Sequence, residues 1–264
     1  GARPYRDREF GQTFAWNVPL TEGYRHHFLS RNPNLSGVDQ WRPGAARLGP
    51  ALVRKPPDVA LLTAYGSRFH LECLLQLRAL GIPVIMRHEA SDQATPRAGT
   101  RSTLRDVMLR LIYSQISGFG VIGTNARSHL IRLGVPRRTF YSSPYCVDST
   151  RASEQHRQWA PRRDSNRSVW GIPPDGFVLL FSGKLIPKKD PLLLLAALRL
   201  LPPDVLKKTH VVIAGDGMLR EAVDAAGREI LGPRFRSLGF INQNDLGLAY
   251  SVADLLVLPS QREA

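Results

Sequence analysis

The sequence predicts an α/β fold in two domains, each a parallel sheet wrapped by helices. Three observations carry that reading. From residue 59 onward, short β-rich apolar runs alternate with helix-length amphipathic segments, as strands and crossover helices do. The alternation lapses between Thr150 and Ser168, which is rich in Arg, Gln, Ser and Asn, and it restarts after Pro173-Pro174. The 264 residues, 43% of them hydrophobic, suffice for two modest cores.

Taken in order, Thr13 to Val18 reads as a strand, Glu22 to Ser30 as a short helix, and residues 32–57 as loop. Val59 to Thr63 is a strand, Phe69 to Leu80 a helix stopped near Gly81, and Pro83 to Met86 a strand. A polar loop from Arg87 to Gly99 follows. Arg101 to Ser114 is helical, with Leu104, Val107, Met108, Leu111 and Ile112 on one face. Gly118 to Ile122 is a strand and Arg127 to Leu133 a short helix. After the break come strands at Phe177–Ser182, Val211–Ala214, Arg236–Phe240 and Leu255–Leu258. Helices at Pro191–Leu201, Met218–Gly227 and Asp245–Ala253 separate them. The domains expected are therefore 1–150 and 173–264, with a linker or surface helix over 151–172.

Composition narrows the function. The longest apolar run, Leu192 to Leu198, ends at Arg199 and is too short to span a bilayer. No signal-peptide pattern opens the chain. Cys73 and Cys146 lack metal-ligand spacing and read as free thiols of a reducing, cytoplasmic compartment. The net charge is +14, and residues 1–150 supply +10 of it, 20 Lys/Arg against 10 Asp/Glu. Such a surface attracts phosphorylated substrates or anionic lipid, although scattered arginines also follow from an Arg-rich genome. No basic run interleaves with aromatics, so nucleic acid is not expected as a partner.

In open parallel sheets, ligands gather where strand ends lead into helices. The loop after Phe177–Ser182 reads Gly-Lys-Leu-Ile-Pro-Lys-Lys-Asp, from Gly183 to Asp190. Its lysines fall at a helix entrance, where free N–H groups and the helix dipole already favour anions. It lacks the spacing of a Walker loop. The next strand ends in Ala214-Gly215-Asp216-Gly217-Met218-Leu219-Arg220, a tight strand-to-helix turn.

These two loops, with Leu238-Gly239-Phe240-Ile241 and the run from Leu246 to Glu263, resemble the donor domain of GT-B glycosyltransferases of family 4. Trp16 to Tyr24, Pro83 to Glu89 and Gly134-Val135-Pro136 are similar to the acceptor-side domain of a bacterial branch of that family. The resemblance covers most of the chain and is weakest over residues 31–55 and 150–168. It implies two Rossmann-like parallel-sheet domains, both incomplete. The family's opening strand and glycine-rich loop are not found before Phe14, and its second glutamate would lie beyond Ala264. The family carries Arg where Lys184 stands and Gly where Asp190 stands.

The resemblance implies a retaining transfer of a sugar from a nucleoside-diphosphate sugar to a hydroxyl acceptor: a glycan such as a cell-envelope polysaccharide, a lipid or a small molecule. The fragment itself is expected to be inactive. Gly183, Lys184 and Lys189 would hold the donor pyrophosphate, and Phe240 and Ile241 would line the base pocket. Glu263 would contact the transferred sugar, and His88 or Glu89 would fill the family's sugar-contacting slot in the acceptor domain. No metal or cofactor is expected, and the basic domain would touch the inner face of the membrane peripherally. Two alternatives are a sugar-nucleotide-binding protein without turnover and a nucleotide-sugar 2-epimerase.

Overall fold

The computed structural model describes residues 5–7, 12–15, 21–29, 45, 48–92 and 100–261. The chain divides into two compact units, one of His26–Cys146 and one of Val147–Arg262 with Gly1–Arg25. Each holds a four-stranded parallel sheet. No described helix is long and apolar enough to cross a membrane.

The chain opens with β1 (Tyr5–Arg6) and β2 (Thr13–Phe14), an antiparallel pair. The helix expected from Glu22 to Ser30 is absent over residues 21–29, where Gly23 at φ +82° breaks helical geometry. Helix α1 (Leu48–Arg54) occupies part of the stretch read as loop.

The N-terminal unit continues through β3 (Ala60–Leu62), α2 (Arg68–Ala79), β4 (Val84–His88), α3 (Thr100–Tyr113), β5 (Gly118–Val121), α4 (Thr124–Arg132) and β6 (Phe140–Ser142). Its strands lie side by side in chain order. Ser67 starts α2 by accepting a bond from the His70 N–H. Leu74, Leu77, Val84, Met86, Leu109, Phe119 and Leu130 form one core.

Two expectations are corrected here. Strand β4 runs past Met86, because Arg87 pairs with Gly120 and His88 with Val121. Arg87 and His88 are thus strand residues, and alternation turns His88 inward. In α3, Ile112 of the expected face packs against the core, whereas the row from Leu104 to Leu111 points outward. Leu109 and Tyr113 are buried, whereas Leu104, Val107, Met108 and Leu111 stand in solvent.

His88 sits beneath a buried polar cluster. Its ring stacks on His129 at 5.2 Å and meets the edges of Tyr113 and Phe119. His129 faces the Asp92 carboxylate through Nδ1 and the Tyr113 hydroxyl through Nε2, 3.3 Å away. Arg132 closes the cluster by donating to both Asp92 and Asp106. Burial, with His129 beside it, pushes the His88 pKa down to about 4.

The C-terminal unit begins with α5 (Ser149–Trp159) and α6 (Arg163–Val169), then runs β7 (Phe177–Ser182), α7 (Pro191–Leu198), α8 (Pro203–Lys208), β8 (Thr209–Ala214), α9 (Arg220–Leu231), β9 (Phe235–Gly239), α10 (Leu246–Val252) and β10 (Leu255–Leu256). Strand order is β10-β7-β8-β9. Both faces of β7 are covered, so it reads as an unbroken apolar run. Leu179 and Phe181 pack under α7 and α9, and Val178 and Leu180 pack toward Ile172 and Ala249.

Helix α6 is tied to this sheet by one buried guanidinium. Arg167 donates to the carbonyls of Val252 and Gly176 and, at 2.5 Å, to the Asp254 carboxylate. Burial opposes ionisation of Asp254, but the Val178 N–H, Arg167 and Arg163 outweigh it and hold the carboxyl below its usual range.

Two outcomes follow from these clusters. Arg167→Met leaves the Val252 and Gly176 carbonyls without this donor and Asp254 with Arg163 and the Val178 N–H, and should lower unfolding stability by about 2–3 kcal/mol, measured by urea titration. His88 is neutral when folded and titrates near its ordinary value when unfolded, so its contribution is complete above about pH 6.5 and fades toward pH 4. The loss should reach about 2 kcal/mol by pH 5. His88→Phe should flatten that segment of the stability–pH curve.

Candidate functional site

The carboxyl ends of β7, β8 and β9 lie side by side, with a register shift where Ala214 pairs with Gly239, and backbone bonds lace the loops that leave them. Gly183 N–H donates to the Ala214 carbonyl at 3.0 Å, Leu185 to Asp216 at 2.9 Å, and Leu219 to Leu185 at 3.0 Å. Gly215 donates to Gly239 at 2.8 Å. The glycines this demands are Gly215 and Gly217. A Cβ at 215 would stand 1.8 Å from the Gly183 oxygen, and one at 217, where φ is +153°, 2.6 Å from the Leu185 oxygen. At Gly183 an added Cβ would meet only ordinary contacts with Phe181. The chain's own packing therefore leaves room at Gly183.

Lys184 and Lys189 are half-buried on this shelf, whereas Lys188 is exposed. Lys189 ends a short 3-10 turn, Pro187–Lys189, leading to α7. Asp190 then adopts the left-handed conformation at φ +48°, which explains why glycine suits this position in the resembling family. Its carboxylate makes no cap bond to α7 and accepts from Gln261 Nε2 at 2.8 Å. Asp216 is buried, accepting from Gly217 N–H and from Arg220 Nη1. Phe240 follows β9 directly, and Ile241 packs into the cluster beneath it.

The residues that sequence reasoning missed come from the opening segment. Asp7 places its carboxylate 3.2 Å from Lys184 Nζ. Gln12 Nε2 donates to Asp216. Phe14 lies 4.3 Å, centroid to centroid, from Phe240, and Ala15 O accepts from Asn242 Nδ2 at 2.8 Å. Four residues, Asp7, Gln12, Phe14 and Ala15, thus lie on the shelf in order. No spacing signal marks them. They belong to a pair of two-residue strands and its flanks, and the hydrogen-bonded partners of Asp7, Gln12 and Ala15 are 177, 204 and 227 positions away.

In the N-terminal unit the predicted pair separates. His88 is 1% exposed and belongs to the core, with its Nε2 making no hydrogen bond among the described residues. Glu89 stands at the rim, 3.7 Å from Arg87, whose guanidinium lies 4.5 Å over the Tyr145 ring. Burial and the Glu89 carboxylate beside it raise the Tyr145 pKa. Glu263 lies outside the described residues.

This shelf has the chemistry of an anion site with an aromatic neighbour: ammonium groups at one strand end, a fixed Asp–Arg pair at the next and a phenyl ring at the third. Residues 162–264 match the family model described as "Glycosyl transferases group 1". No curated protein matches the sequence. Among solved structures the chain is similar to Anabaena Alr3699/HepE in complex with UDP, at 17% identity and TM-score 0.60, over 82% of this chain and 57% of that one. It is similar to a glycosyltransferase from Rickettsia africae at 11% identity and TM-score 0.60, over 90% and 59%. It is also similar to the alpha,alpha-trehalose 6-phosphate synthase of Burkholderia multivorans at 15% identity and TM-score 0.60, over 82% and 55%. The chain therefore spans less than three-fifths of the length of these proteins. Its residues 162–264 match glycosyl transferases group 1, and its two parallel four-stranded sheets are those of the GT-B glycosyltransferase fold.

Proposed function

We propose that the protein transfers a sugar from a nucleoside-diphosphate sugar to a hydroxyl acceptor, with retention of configuration and without a metal, as family 4 enzymes do. The observation that carries this is the shelf itself: Lys184, the Asp216–Arg220 pair and Phe240 stand at three adjacent strand ends, laced by backbone bonds. A UDP complex of the similarly folded Anabaena protein supports a nucleotide sugar as donor. The acceptor class is a glycan, a lipid or a small molecule. Two free cysteines support a reducing, cytoplasmic setting, and the basic N-terminal half supports peripheral contact with a membrane.

In this reading Lys184 and Lys189 hold the pyrophosphate and neutralise charge building on the leaving nucleoside diphosphate. The departing phosphate takes the acceptor's proton on the face it leaves, so no protein carboxylate acts as base. Gly183 leaves space for phosphate oxygens, and Phe240 and Ile241 border the base. Glu89, the accessible member of its pair, takes the sugar-contacting slot of the N-terminal unit. Asp7 now holds the Lys184 ammonium, so a diphosphate competes with that carboxylate.

Calorimetry with a nucleoside diphosphate tests this with opposite signs. Lys184→Ala and Lys189→Ala should each weaken binding by about tenfold or more, since a charge-assisted bond contributes roughly 1.5–3 kcal/mol. Asp7→Asn should tighten it by up to about fivefold, the scale of one half-exposed ion pair. Unchanged affinity in both lysine variants would remove the assignment.

A further inference from the structure

Helix α3 is fourteen residues long, and its outer face is apolar. Leu104 is 72% exposed, Leu111 66%, Met108 49% and Val107 48%. At about 100° per residue these four fall within one stripe. Arg101 and Arg105 flank that stripe on one side and Arg110 on the other. The helix's single acid, Asp106, is turned away to Arg132. Leu109 and Tyr113 hold the opposite side in the core, so the stripe is fixed outward.

We propose that α3 is a membrane-docking helix that lies in the interface of an anionic bilayer, its leucines among the acyl chains and its arginines at the headgroups. The charge pattern selects this occupant. Apolar residues bordered by arginines on both flanks match an apolar interior beneath a negative surface. A second copy related by a two-fold axis would bring arginines against arginines across the same stripe. Four exposed apolar side chains give the helix a reason to leave water, and three arginines make its partition sensitive to lipid charge and to salt. This deepens the reading of peripheral membrane contact and is independent of the donor shelf, which lies in the other unit.

Co-sedimentation with vesicles tests it, using phosphatidylcholine alone and phosphatidylcholine carrying phosphatidylglycerol. The protein should bind the anionic vesicles at least about tenfold more tightly, and half-molar salt should remove most of that preference. Leu104→Ser with Leu111→Ser should abolish the interaction, and Arg101→Gln with Arg110→Gln should shrink the dependence on lipid charge. These side chains already stand in water, so unchanged melting temperature and nucleoside-diphosphate affinity certify the variants as folded. Equal binding to both vesicles, or full binding by the serine variant, overturns the proposal. So does a concentration-dependent dimer that the serine variant makes monomeric.

Discussion

Where β8 ends, residue 215 has no room for a side chain, because the Gly183 carbonyl occupies the space a Cβ would need. That close approach lets the loop after β7 bond along the loop after β8, and Gly215 in turn bond to Gly239 beyond β9. Loops leaving separate parallel strands ordinarily move apart, since only the strands are paired. Here the pairing continues one step past the sheet. Lys184, Asp216 and Phe240 then occupy fixed places relative to one another, which a site for an elongated, multiply charged ligand requires. Glycine at 215 is thus a structural necessity with a functional consequence.

The charges on this shelf are arranged for exchange. Asp216 accepts from three donors, Gly217 N–H, Arg220 and Gln12, so its charge is already engaged. Lys184 is held differently, by the carboxylate of a distant, part-buried residue. A half-exposed pair of that kind contributes little in water, and a phosphate with several charged oxygens outcompetes one carboxylate. The Phe14 ring against Phe240 has the same character: it covers apolar surface that a flat ligand ring would also cover. The opening segment therefore covers the shelf with a carboxylate and an aromatic ring, the same chemistry as the proposed nucleotide ligand.

Much of the C-terminal unit was legible because its strands are buried on both faces. Phe177 to Ser182 is one apolar run, and it appears with the bounds expected. The loop from Gly183 to Asp190 could be placed for the same reason, since it leaves such a run directly, although lysines at a helix entrance also suit a solvated turn. The N-terminal unit was harder. Strand β4 ends in Arg87 and His88, polar residues that look like loop, and only the pairing with Gly120 and Val121 keeps them in the sheet. Helix α3 is apolar on two sides. Periodicity found the row from Leu104 to Leu111, but it carries no information on which side meets the sheet. Contacts such as Asp7 with Lys184 leave no trace in local pattern at all.

Net charge illustrates why composition alone could not locate function. A basic excess suggests anionic partners, yet several arginines here serve the fold. Arg132 gathers Asp92 and Asp106 around His129, and Arg167 and Arg163 fasten α6 to the end of α10 through carbonyls and Asp254. Arg234 caps the carbonyls of Leu206 and Thr209. A guanidinium suits this work because its planar fork reaches several oxygens at once and stays charged when buried. What remains for recognition is the set not used this way, and on α3 that set borders an apolar stripe. Arginines bonded to carbonyls stabilise the fold. Arginines left at the edge of exposed leucines are the ones whose charge can be read by something outside the protein.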